Sequence, residues 1–448
     1  MKKRFAVFIG LLCLSLGILI AVPILLRQKA DQIEIVQKTI QGELEETEGL
    51  GVVFRTSLYD RLFWETRYPA QESESAETEF SVFQKGQYYP GRSEWFRLEL
   101  ESFNFGMSTS RQDGLRLEEL EKSARMAELV EDVAKDVAPG TQGSKRIQLS
   151  DWFEYWPVNI DSNYMYISEF APEPLQEYFR IPMPEDVCAT YTVEKNQEGK
   201  VYELSVDSEL YGFLESSSVK SERGWYLVLD SRSYPVGQEE GDLSQIEGGY
   251  GVYFFPVDSE GELDVNGVDT VYKVREGEYT ASIQMDERGN LLLYTVTKEG
   301  MWYLTVLKEE DAQEVQRLEL GKLGIDNELG TTVWEEGFVV QTMSDQTLLL
   351  LIQTEEGYRL EPVLSLPNVM YVRDQESTAF AWDGERLALV CPSENDLDHY
   401  IAVWREGTLS YLGEYKYAGS GEELYLNTGN MIELDRRDGA FQLEWNTL

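Results

Sequence analysis

Met285-Asp-Glu-Arg-Gly289, Asn290-Leu-Leu-Leu-Tyr-Thr-Val296, Thr297-Lys-Glu-Gly300 and Met301-Trp-Tyr-Leu-Thr-Val-Leu307 follow one another without a break. Two apolar runs of strand length are each preceded by a short polar segment ending at or near glycine. Such runs are too short for buried helices and are rich in β-branched and aromatic residues, so they read as strands joined by tight turns. The same grammar extends outward. Val201–Val206, Trp225–Leu229, Gly251–Phe255, Leu348–Ile352 and Leu387–Val390 are strand-like, with turn residues at Glu355-Glu-Gly357, Asp383-Gly384 and Asp438-Gly439. A doubly wound α/β chain would place a helix after nearly every strand, and none is seen here. The class is all-β.

The opening turn recurs. Met285-Asp-Glu-Arg-Gly289, Val333-Trp-Glu-Glu-Gly337 and Ala381-Trp-Asp-Gly384 are spaced 48 residues apart, at Asp286, Trp334 and Trp382. Units of about 40–50 residues with four strands each predict a β-propeller, here of five to seven blades. The glycine-rich stretch Gly248 to Gly251 falls loosely in phase upstream. A ring would be closed by strands near Phe441 to Trp445 pairing with those near Val52 to Phe54, leaving no exposed edge there. An assembly of β-sandwiches is the alternative. Neither the WD40 pairing nor the sialidase box is present. Leu117, Leu120, Ala124, Ala127, Val130 or Glu131, and Ala134 repeat at helical spacing, predicting one amphipathic helix inserted at about 115–138.

The N-terminus has its own logic. Lys2, Lys3 and Arg4 precede an uncharged run from Phe5 to Leu26. As a helix it spans roughly 33 Å, enough for a hydrocarbon core of about 30 Å. No small-residue cleavage site follows, so the run reads as an uncleaved single-pass signal anchor rather than a signal peptide. The basic residues before it place residues 1–4 in the cytoplasm and the bulk of the chain outside the cell membrane. Spacing at Ile33, Ile35, Val36, Ile40 and Leu44 predicts a membrane-proximal helix or stalk over 27–49, with the β-rich domain occupying 50–448.

Charge and composition then exclude. With 81 acidic against 39 basic residues the net charge is −42, a field that repels nucleic acid. Of three cysteines, Cys13 lies in the apolar run, leaving Cys188 and Cys391, too few for a disulfide scaffold or zinc site; they read as two buried thiols, with a single bridge between them as the alternative. His399 is the only histidine, so every two-histidine metal motif is absent, and histidine catalysis or a metal site among the neighbouring acids would need that one residue. It lies in Ser393-Glu-Asn-Asp-Leu-Asp-His399, read as a polar loop before the strand Tyr400–Trp404. No nucleophile elbow, phosphate loop or dinucleotide fingerprint occurs.

Two segments carry candidate sites. Trp152, Tyr155, Trp156, Tyr164 and Tyr166 form the richest aromatic stretch, interrupted by prolines, and would present rings to a peptide, glycan or envelope protein; the competing role is core packing. Asp258, Glu260, Glu262, Asp264, Asn266 and Asp269 set oxygen ligands at nearly alternate positions, a calcium-like pattern without the EF-hand glycine spacing; a solvated hairpin tip is the plainer reading. The function these features support is a membrane-anchored extracytoplasmic binding, sensing or scaffolding protein without catalytic activity. The alternative is an extracytoplasmic glycan hydrolase using paired carboxylates, which so acidic a chain cannot exclude.

Overall fold

The computed structural model describes residues 14–15, 17, 21–22, 24–25, 27–28, 30, 33–58, 62–82, 96–110, 112–115, 124–162, 169–208, 215–232, 243, 245–257, 263–334, 337–342, 346–370, 378–393, 398–419 and 441–446. Over these residues the protein is mostly antiparallel sheet. Downstream of the N-terminal segment its α-helices are Ala124–Lys135 and Glu173–Tyr178.

The chain divides into two compact units, one formed by 1–91 and 327–448, the other by 92–326. In the first, Ala379–Trp382, Arg386–Pro392, His399–Arg405 and Thr408–Gly419 form a meander that Ile33–Gly42 extends at the edge. Leu50–Leu58, Leu62–Pro69 and Glu77–Val82 form a second sheet. Leu329–Trp334, Gly337–Thr342, Thr347–Thr354 and Gly357–Leu360 belong to a third. The expected pairing of late with early strands is found: Phe441–Trp445 joins the second sheet with Leu443 opposite Val52 and Phe441 opposite Phe54.

The second unit repeats the pattern. Glu215–Lys220, Gly224–Asp230, Gly251–Pro256 and Asp269–Lys273 form one meander, and Glu278–Met285, Asn290–Thr297, Met301–Lys308 and Glu314–Lys322 the next. Phe105–Ser108, Val201–Ser208, Cys188–Lys195 and Gln142–Gln148 make a third sheet in that order. Phe96–Leu100, Val158–Ser162 and Glu169–Phe170 make a smaller one.

The continuous apolar runs have a physical cause. An antiparallel strand with one wet face alternates apolar and polar residues; a strand covered on both faces does not. The second strand of each meander is covered on both. Every residue of Gly337–Thr342 is buried, as are the six central residues of Asn290–Thr297. Successive side chains of Arg386–Pro392 enter different cores: Leu387, Leu389 and Cys391 pack with Val339, Leu348 and Leu350, whereas Ala388 and Val390 pack with Val52, Phe54 and Tyr68. In Gly224–Asp230, Trp225, Leu227 and Leu229 face one core while Tyr226 and Val228 face Ile283, Leu291 and Leu293. Within each unit, sheets therefore stack face to face.

The repeat marks one place in successive meanders. Trp334 and Trp382 are the last residues of first strands, and Asp286 directly follows another. In two of the three turns an acid shapes the hairpin. Asp286 Oδ1 accepts the amides of Arg288 and Asn290 at 2.9 and 2.7 Å; Asp383 Oδ1 accepts those of Glu385 and Arg386 at 2.9 and 2.7 Å. Both carboxylates fold the first hairpin onto itself. Gly248 to Gly251 is not the upstream counterpart; that hairpin is at Ser221–Gly224, and Gly251 begins a third strand. Glycine is required there because a Cβ would collide with the Tyr272 carbonyl of the neighbouring strand.

Two helical expectations are corrected in detail. Residues 33–42 are not part of a stalk helix but a strand paired along its length with Thr408–Gly419. Ile33 and Ile35 are buried at period 2, whereas Val36 and Ile40, which suggested the helix, are 50% and 44% exposed. The inserted helix is described over Ala124–Lys135, and its buried face is Met126, Leu129, Val130, Val133 and Ala134, with Glu131 exposed. Most of 5–26 lies outside the described residues. Among the described residues no helix is long and apolar enough to cross a membrane.

Candidate binding cleft

The hairpin after Ala379–Trp382 is the starting point. Asp383 also receives Arg386 Nε on Oδ2 at 2.8 Å. Burial works to raise the Asp383 carboxyl, but the Arg386 and Glu385 amides and the Arg386 guanidinium outweigh it and hold the group below its ordinary range. Arg386 also donates to the Glu46 carbonyl at 2.8 Å and lies 4.1 Å over the Trp445 ring. Arg405 Nε reaches Glu46 at 3.1 Å, and its Nη1 reaches Glu385 at 3.3 Å. Two arginines thereby pin the 3-10 turn Leu44–Thr47 to this end of the sheet.

Beside the hairpin opens a cleft of about 320 Å³. Leu350, Ile352, Leu364 and Leu387 form its apolar floor, and Trp382 and Trp404 contribute indoles. Trp404 is buried, while Trp382 is half-buried and keeps part of its ring accessible. The rim is charged and self-paired. Arg359 donates through Nε and Nη2 to Glu361 Oε1 at 2.8 and 2.6 Å, and Arg405 holds Glu385. Gly407, at φ +77°, allows the last turn to approach Pro362; a Cβ there would stand 3.3 Å from that ring. An apolar floor, a partly open indole and a few fixed polar groups suit binding of a small ligand or a short segment of a larger one. Among the described residues, the side-chain partners of Glu361 and Glu385 are arginines.

The sequence-derived candidates lie elsewhere. Trp156 is 4% exposed, and its indole N–H donates to the Glu101 carbonyl at 2.9 Å, so it belongs to the core beside Phe103 and Phe153. Trp152 is half-buried against the same core. Tyr155 bridges to Pro182 with Arg180 5.8 Å over its ring. Tyr164 and Tyr166 lie outside the described residues. Aromatic area was drawn inward by the helix Glu173–Tyr178, whose Leu175 and Tyr178 are buried in the same cluster.

Asp258, Glu260 and Glu262 of the calcium-like stretch lie outside the described residues. Asp264 Oδ1 accepts the Asn266 amide at 3.0 Å, closing a local turn, and Asp269 begins a strand. No group of three or more acidic, histidine or cysteine side chains is placed to hold a metal ion among the described residues.

His399 is not in a polar loop. It opens the strand His399–Arg405, is fully buried, and shares a hydrogen bond with the Tyr68 hydroxyl through Nε2. Its ring stacks on Tyr415 at 5.6 Å and lies 4.9 Å from Phe441. Burial pushes the Tyr68 hydroxyl well above its ordinary range. The partner stands 331 positions away, so local sequence carries no trace of it. Cys188 and Cys391 are not joined by a disulfide; Cys391 is buried and Cys188 half-buried.

No known protein family matches this chain, and no curated protein does. Solved structures give faint likenesses. A protein from Lactobacillus plantarum is 8% identical, with 82% of this chain and 99% of that one covered and a TM-score of 0.29. A Bacteroides fragilis protein, provisionally described as a 6-phosphogluconolactonase, is 8% identical over 85% and 84%, with a TM-score of 0.27. A match within the mitotic checkpoint complex is 15% identical, spans 36% of this chain and only 44% of that one, and scores 0.23. Likenesses at these scores carry no argument about activity.

Proposed function

We propose that this chain is a membrane-anchored binding, sensing or scaffolding protein without catalytic activity, displayed outside the cell membrane on a β-propeller. The propeller reading draws support from repeated four-stranded meanders, from second strands covered on both faces, and from the pairing of Phe441–Trp445 with Leu50–Leu58. The anchor reading draws support from the uncharged run and from Leu14, Val22, Ile24 and Leu25, which are 45–61% exposed. Apolar side chains displayed in this way suit lipid better than water. The observation that carries the binding role is the Trp382 cleft, with its apolar floor and arginine-paired rim. Acidic charge turns nucleic acid away, leaving a peptide, a cell-wall glycan or another envelope protein as partner.

Titration of the full chain in detergent micelles against defined oligosaccharides and peptides, followed by tryptophan fluorescence, tests this role. One ligand class is expected to saturate the site. Trp382→Ala is expected to weaken that binding by about tenfold or more, as loss of a central indole does at binding hot spots, while the protein stays folded. Release of a cleaved product would favour the glycan hydrolase with paired carboxylates. Equal binding by the variant would remove Trp382 from the site.

A further inference from the structure

Ile33–Gly42 runs antiparallel to Thr408–Gly419, with Ile33 opposite Gly419 and Gly42 opposite Tyr411. Its two ends therefore lie at opposite ends of one sheet. The far end is the cleft end: Leu44–Thr47 follows the strand there, tied by Arg386 and Arg405 beside Trp382, Glu385 and Gly407. The near end is tied to the apolar run. Ile33 is 5% exposed and belongs to the core of the folded unit, seven residues after Leu26. Seven residues reach at most about 25 Å, and Arg27, Gln28 and Ala30 are helical, which shortens the reach.

Resting on the anchor reading above, we propose that the Trp382 cleft opens away from the bilayer, held about 30 Å beyond the entry point by the length of this strand. The partner of the cleft is then not a lipid headgroup of the membrane that holds the protein.

The test uses the full chain carrying Cys13→Ser and Cys188→Ser, reconstituted in phosphatidylcholine vesicles containing an acceptor-labelled lipid. A donor dye is placed at Glu34→Cys or at Glu45→Cys, both exposed positions at the two ends of the strand. Energy transfer to lipid is expected to be several-fold stronger from position 34 than from position 45. Equal transfer from both would mean that the sheet lies flat, and stronger transfer from 45 would mean that the cleft faces the bilayer; either overturns the proposal. Failure of the chain to float with the vesicles would remove the anchor itself and the pose with it, an outcome separable from either pattern of transfer.

Discussion

Leu389→Asp is expected to prevent the unit formed by 33–82 and 329–446 from folding, with loss of its cooperative unfolding transition and accumulation of insoluble chain. Leu389 is fully buried in a strand whose alternate residues feed two different cores, so no rotation of the strand exposes it to water. An unpaired charge there loses its hydration with nothing to replace it. Leu389→Ala is the graded version, expected to cost about 2–5 kcal/mol. Lys38→Gln, on the exposed face of the edge strand in the same sheet, should stay within roughly 0.5 kcal/mol of wild type. Urea unfolding of the full chain distinguishes the three. Soluble, cooperative Leu389→Asp protein would mean that this strand is not covered on both faces.

Glu278→Ala is the second large effect, expected to destabilise the 92–326 unit by about 3–5 kcal/mol because it leaves a shielded guanidinium unpaired. The Glu278 and Arg317 side chains are 9% and 12% exposed and meet at 2.6 Å. Glu278 also accepts the Thr295 hydroxyl at 2.9 Å; Arg317 donates to Thr305 at 2.8 Å and lies 4.3 Å over the Tyr303 ring. One pair thus links side chains from all four strands of the meander. Removing both charges with Glu278→Ala and Arg317→Met should recover much of the loss, since an apolar pair carries no desolvation cost. Equal destabilisation in the single and double variants would show that packing rather than charge pairing holds the site.

These two sites also show what sequence reading reaches. The runs containing Leu389 and Leu293 announced strands because burial on both faces erases the polar alternation that hairpins show elsewhere. Two of the recurring turns were legible because Asp286 and Asp383 perform one local task, capping a turn within four residues. What failed to show was long-range. Ile33–Gly42 resembled a helix because Val36 and Ile40 are apolar yet exposed, and its true partner is nearly 400 positions away. His399 looked like a loop residue because its neighbours are acidic, while its partner Tyr68 comes from another sheet. The cleft drew on Arg359, Trp382 and Arg405, residues that no local motif joins. Trp152 to Trp156 stood out only by density of rings, and density does not distinguish a binding surface from a core.

The central claim is that a β domain is displayed outside the membrane on a single N-terminal anchor. Protease treatment of intact cells expressing the full chain with an epitope after Leu448 tests it directly, with a cytoplasmic protein as the control for lysis. The epitope is expected to be lost from intact cells while the cytoplasmic control survives, and untreated chain is expected to remain in the membrane fraction after alkaline washing. An epitope protected until the cells are lysed, or chain released by the wash, would contradict it.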